Sequence, residues 1–174
     1  MNETMNTIYT RRSCKKYLSE LPPMTMIDEI IHAGLCAASG LNRQSPIIVA
    51  VTDADTRNQL SKLNSKYDFK HREDPFYNAP VVLIVLADKS IPTAIYDGSL
   101  VLGNMMLAAH SMGLGSCWIH RAKEMFEDEE GKAILDKLGI TGDYEGIGNC
   151  IIGYADMDMN KDIPRRENRV YKIF

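Results

Sequence analysis

Pro80-Val-Val-Leu-Ile-Val-Leu-Ala87 is the stretch that decides the fold. It has no polar side chain and is rich in β-branched residues, the pattern of a strand covered on both faces; a half-solvated strand would alternate apolar and polar positions. Such a strand belongs in the middle of a sheet. Upstream, Pro46-Ile-Ile-Val-Ala-Val-Thr52 has the same character and is expected in the sheet interior as well. Downstream, Ser116–Ile119 and Ile147–Tyr154 bring the set to about four core strands.

Helices are expected between and before these strands. Over Thr25–Ala38, Ile27, Ile30, Ile31, Gly34, Leu35 and Ala38 recur at i, i+3, i+4, i+7, i+8 and i+11, with Thr25 as a candidate cap and Asp28 completing a capping-box pattern. In Thr93–Met112 the apolar residues fall all around the helical wheel, which predicts burial on every side. Gly103 inside that helix costs about 1 kcal/mol against alanine, so a close neighbouring element is expected there. Ala122–Leu138 reads as one acidic helix, whose carboxylates between Glu124 and Glu130 suit the positive end of the macrodipole. Helices alternating with strands predict a mixed α/β domain. No repeat or linker divides it, so residues 1–174 are read as one domain.

Composition narrows the function. At 174 residues, 45% hydrophobic and 25% charged, the chain can bury a self-standing core. A net charge of −3 repels rather than gathers nucleic acid. Cys14, Cys36, Cys117 and Cys150 form no C-x-x-C pair, and His32, His71, His110 and His120 form no H-x-x-x-H pair, so no metal is expected. Free thiols and a polar opening stretch without an apolar signal core point to the cytoplasm. Gly98–His120 lacks Asp, Glu, Lys and Arg but is broken by Asn104, two histidines, three serines and four glycines, so it is not expected to span a membrane. Gly113-x-Gly115 runs from helix to strand, the wrong order for a dinucleotide-binding turn, and no P-loop is present.

Charge distribution is more informative. Arg11, Arg12, Lys15 and Lys16 crowd the first 17 residues against one acid, and Lys161–Phe174 holds five basic residues against two acids. Two solvated basic ends are one reading. The other is a phosphate clamp, since Arg11-Arg12-Ser13-Cys14-Lys15 supplies guanidinium, hydroxyl and ammonium donors within five residues.

Here the chain resembles the FMN-dependent nitroreductase family along nearly its whole length. Arg11-Arg-Ser-Cys-Lys-Lys-Tyr17 is similar to the family's R-R-S-x-R-x-F signature, which implies that Arg11, Arg12, Ser13 and Lys15 hold the flavin phosphate and ribityl chain. Ala37-Ala-Ser-Gly-Leu-Asn-Arg-Gln44 resembles the A-x-S-x-x-N-x-Q loop, which implies that Ser39, Asn42 and Gln44 act on the flavin ring of a partner subunit. The family's following Q-P-W is here Gln44-Ser45-Pro46. Asn104–Ile119 is close to the central helix and the strand after it. The family then has two small residues facing the flavin N5 edge; here, after Ile119, His120 and Arg121 stand, with backbone contacts kept and side chains adding positive charge near the pyrimidine end. Pro164-Arg165-Arg166 resembles the closing P-R-K/R contact, which assigns Arg165 and Arg166 to the phosphate, with Lys161 a weaker candidate.

The resemblance implies a three-layer α+β sandwich with a central mixed sheet, an intertwined homodimer with FMN at the interface, and NAD(P)H as co-substrate. Hydride passes through FMN to a nitroaromatic, quinone or similar small acceptor in a ping-pong cycle, so no catalytic side chain is required. Alternative uses of the same cofactor are reductive dehalogenation, flavin cleavage, or FMN storage or sensing without turnover. Only Ser65–Asn78 is available to roof the substrate pocket, and its Lys70, His71 and Arg72 have no assigned role.

Overall fold

The structure, a computed structural model, describes residues 2–160 and 162–174. Four strands, β1 (Ile47–Val51), β2 (Val81–Asp88), β3 (Gly115–Ile119) and β4 (Tyr144–Gly153), form a sheet of order β1-β2-β4-β3. β2 is central and its residues Val81 to Ala87 have no solvent exposure, as its unbroken apolar run predicts. Every pairing between these strands is antiparallel; the parallel component expected of a mixed sheet is confined to the bridge between Ser13 and Ser116.

Alternation along β2 sorts the core into two layers. Val81, Leu83, Val85 and Ala87 face α2 (Met24–Leu35) and α4 (Ala94–Ser111), where Ile27, Ile30, Leu102 and Met105 meet them. Val82, Ile84 and Leu86 face α3 (Ala54–Tyr67), α5 (Ala122–Glu127) and α6 (Glu129–Lys137), through Leu60, Leu63, Met125 and Ile134. The result is the three-layer sandwich implied by the family resemblance. A further helix, Glu3–Thr10, buries no residue and is capped by Asn2, whose side chain accepts from the Met5 amide. Among the described residues no helix is long and apolar enough to cross a membrane.

Several local expectations are corrected. β1 is an edge strand: Val49 and Val51 pack on one face and Ile48 on the other, yet among the described residues no strand pairs with its outer edge. A continuous apolar run reports covered faces, not paired edges. α2 begins at Met24 on Pro23, with no side-chain cap, so Thr25 does not cap it; the proline's fixed φ starts the helix instead. α4 is buried on one side only, with Ile95, Tyr96 and Leu100 exposed, and nothing lies within 4 Å of a Cβ built on Gly103. The close approach falls at Gly98, where a Cβ would sit 2.6 Å from Ile147 Cγ1. The acidic helix is two helices broken at Asp128, whose carboxylate accepts from the Glu130 amide and starts the second.

The segment 65–78 is pinned rather than loose. Arg57 bonds Asp74 at 2.7 Å, the Ser65 hydroxyl donates to the Arg72 carbonyl at 2.6 Å, and Arg72 pairs with Asp68 at 2.7 Å. The Arg72 side-chain bond, opposed by burial and helped by the amides of Arg72 and Lys70, holds the Asp68 carboxyl down to about 2. A carboxyl lowered on folding stabilises above its unfolded value and loses that contribution as pH falls from about 4 to about 2. Asp68→Asn should therefore lower the melting temperature at pH 6 and converge with wild type near pH 2; a gap independent of pH would refute this role.

Candidate functional site

The chain ends are joined by a short backbone zipper. Leu18 N donates to Tyr154 O at 3.0 Å and Asp156 N to Lys16 O at 2.9 Å, with Tyr17 and Ala155 bridged between them. Lys16 and Asp156 add an exposed ion pair at 2.7 Å. Upstream, Cys14 N donates to Ser116 O at 2.9 Å, which ties the segment to β3. Cys14 and Tyr17 point inward and are held so because Gly115 and Gly153 leave room: a Cβ on either would lie 2.8 Å from Cys14 Cβ or 3.1 Å from Tyr17.

Arg11, Arg12, Ser13 and Lys15 line a cleft of about 310 Å³, closed on its other side by Met157, Asp158 and Met159 and then by Ile163 and Arg165. The structure thus brings five of the residues expected to hold a phosphate into one cavity. Arg166 is exposed and outside that lining, and Lys161 lies outside the described residues. Arg12 Nη1 donates to Tyr9 O at 2.7 Å and to Arg11 O at 2.9 Å, which braces the segment. Among the described residues Arg11 Nη1 is buried with no hydrogen-bond partner, an unmet donor of a kind that costs upwards of about 1–3 kcal/mol.

The neighbours register this positive field. His110, 2.8 Å from Thr10 Oγ1, is pushed below its ordinary range by burial and then by Arg11 and Arg12. Burial raises the Cys117 thiol, while a bond from Ser13 and the charges of Lys15 and Arg11 oppose it. Among the described residues no group of three or more His, Cys, Asp or Glu is placed to hold a metal ion.

Ser39, Asn42 and Gln44 do not reach this cleft. They form a self-bonded loop: Gln44 N donates to Ser39 Oγ at 3.0 Å and Gln44 Nε2 to Asn42 Oδ1 at 2.9 Å. Asp97, buried in α4, anchors it through the Gly40 amide at 3.0 Å and Thr93 Oγ1 at 2.8 Å. Leu41, Asn42 and Gln44 all have positive φ, and Leu41 is 86% exposed. Ser39 and Gln44 line a second, smaller cavity of about 130 Å³ with Leu35, Asp97 and Val101.

At the far end of β3 lies the third group. Ile119 is buried, His120 is exposed, and Arg121 takes a left-handed conformation, φ 76°, to start α5. Its guanidinium pairs with Glu124 at 2.7 Å, so the positive charge expected near the flavin is drawn toward that carboxylate. Beneath the turn are two residues that motif reading did not find. Asn64 Nδ2 donates to His120 O at 2.8 Å, and Asn149 Nδ2 to Ile119 O at 3.3 Å. Their only sequence signal is a polar residue at a position whose neighbours in β4 and α3 are core.

The Nitroreductase family model matches residues 8–154. The chain belongs to the nitroreductase family. A crystal structure of a nitroreductase with bound FMN from Bacteroides fragilis superposes with a TM-score of 0.88 at 26% identity, covering 100% of both chains. A relative in Archaeoglobus fulgidus, whose name includes NAD(P)H nitroreductase, is 29% identical over 96% of this chain and 99% of its own length. An NADPH-flavin oxidoreductase of Vibrio harveyi is 33% identical over 68% of this chain and 54% of its own. The chain spans between 53% and 60% of the length of several curated relatives.

Proposed function

We propose that this chain is an FMN-dependent NAD(P)H oxidoreductase of the cytoplasm, working as a homodimer on small acceptors such as nitroaromatics and quinones. The observation that carries the reading is the gathering of Arg11, Arg12, Ser13, Lys15 and Arg165 around one cleft. That donor set fits a phosphate monoester of about −1.5 to −2 charge, as FMN carries. When bound, FMN supplies the hydride chemistry between nicotinamide and acceptor.

The chain's own residues then have distinct tasks. Arg11 and Arg165 neutralise the phosphate from opposite ends of the polypeptide, Ser13 and Lys15 complete its hydrogen bonds, and Arg166 adds longer-range charge. Ile119, His120 and Arg121, at the other end of β3, supply backbone to the ring. Ser39, Asn42 and Gln44 serve the ring of the partner subunit. Support for a dimer comes from the uncovered apolar surface: the outward face of α4, and Val170, Tyr171, Ile173 and Phe174, each at least 75% exposed.

Anaerobic titration of FMN-loaded protein with NADH and with NADPH tests the reading. Bleaching of the flavin by one nicotinamide, and recovery on adding a quinone, is the expected result. Yellow protein that neither nicotinamide bleaches would make it a flavin-holding module without turnover.

A further inference from the structure

Asn149 is an anomaly of the core. It sits on β4 between Gly148 and Cys150 with no solvent exposure, on the face that meets Met125, where Cys117, Ile119 and Ile151 are its apolar neighbours. Among the described residues its Oδ1 has no hydrogen-bond partner, so the residue is kept although half of its amide is unsatisfied. Leucine, of the same shape, would leave no such orphan. A local rule broken in this way points to a task other than stability.

The other half of the amide shows the task. Asn149 Nδ2 reaches the carbonyl of Ile119, its cross-strand partner, and Asn64 Nδ2, 1% exposed on α3, reaches the next carbonyl, that of His120. Both amides also touch the Met125 sulfur, at 3.5 and 3.1 Å, and Met125 N donates to Arg121 O at 3.0 Å. Three consecutive carbonyls, 119 to 121, therefore all accept hydrogen bonds, from β4, α3 and α5 in turn. In a trans peptide the C=O and the following N–H point in opposite directions. Two carbonyls drawn toward the asparagines turn the amide N–H groups of His120 and Arg121 away from them, at the turn where left-handed Arg121 starts α5.

We propose that Asn64 and Asn149 are positioning residues for the flavin ring, aiming the His120 and Arg121 amides at it through the two carbonyls they hold. This rests on the flavin reading given above. The two asparagines come from different elements, α3 and β4, so the turn is fixed from two directions without either side chain touching the cofactor. The sequence substitutes bulky His120 and Arg121 for the small residues usual in the family, and the clamp keeps their backbone in register despite that bulk.

The test uses Asn64→Leu, Asn149→Leu and the double variant in the full chain. In cofactor-free protein, the amide resonances of His120 and Arg121 should move while those of Arg11 to Lys15 stay in place. In FMN-loaded protein, cofactor affinity should remain within about threefold, the visible flavin bands should shift, and reduction by nicotinamide should slow by about tenfold or more with its KM unchanged. Should Asn149→Leu fail to fold, Asn64→Leu alone carries the same readouts, because Asn64 lies on a helix and leaves the sheet intact. Variants that bind FMN with wild-type bands, potential and reduction rate would overturn the inference. Wild-type protein that takes up no FMN would instead refute the flavin reading, and the cofactor-free amide comparison would still decide whether the clamp orders the turn.

Discussion

Replacing Arg11 and Arg165 together with alanine should weaken FMN binding by about 10²–10⁴-fold, since two charge-assisted hydrogen bonds of about 1.5–3 kcal/mol each are lost. Among the described residues Arg11 Nη1 has no hydrogen-bond partner, so truncating it breaks no bond made by that atom. The melting temperature of the cofactor-free variant, measured alongside, separates this effect from unfolding. Arg166→Ala, outside the cleft lining, should cost far less. Calorimetric titration with FMN compares both variants with wild type, and affinity that survives the double replacement would end the phosphate assignment. Raising salt should weaken the wild type more than the variant, because the exposed part of the attraction is screened.

Gly103→Glu should convert a dimer to a monomer and reduce retained flavin by about a hundredfold or more, the scale of losing one subunit's share of ring contacts. Tyr96, Leu100 and Gly103 recur at i, i+4 and i+7 on the outward side of α4, with Tyr96 and Leu100 exposed, a seam with the spacing of packed helices. A Cβ on Gly103 meets nothing within 4 Å in the single chain. The substitution is therefore free of clashes in a lone subunit and relieves a helix-interior glycine worth about 1 kcal/mol. Sedimentation gives the oligomeric state and absorbance the flavin content. A Gly103→Glu protein that stays dimeric and yellow would show that this seam does not join the subunits, and a wild-type monomer retaining FMN would remove the dimer from the proposal.

Much of the fold was legible because single side chains announced it. The central position of β2 follows from its lack of polar residues, and the two-layer core follows from the pleat. α3 was not read at all. Its inward stripe holds Arg57, Ser61 and Asn64 beside Leu60 and Leu63, so the periodicity is present but written partly in polar letters. Those polar residues are there because they serve partners elsewhere: Asp74, the Ala79 carbonyl and the His120 carbonyl. The break at Asp128 was hidden for a similar reason, since a run of acids looks alike whether it opens one helix or caps a second. At the site, the charged donors of the cleft were visible as composition and motif, whereas the asparagines beneath the turn carry no motif. Within the single chain the close approach to α4 lies at Gly98 rather than Gly103, because a sequence does not distinguish a neighbour in its own fold from one in a second subunit.

The zipper between residues 16–18 and 154–156 has a consequence for truncation. Arg165 follows the last strand, so on the proposed reading the sheet is complete without it while the anion pocket is not. Shortening the polypeptide after Asp156, which keeps the zipper, should therefore yield a folded but colourless product rather than an aggregate.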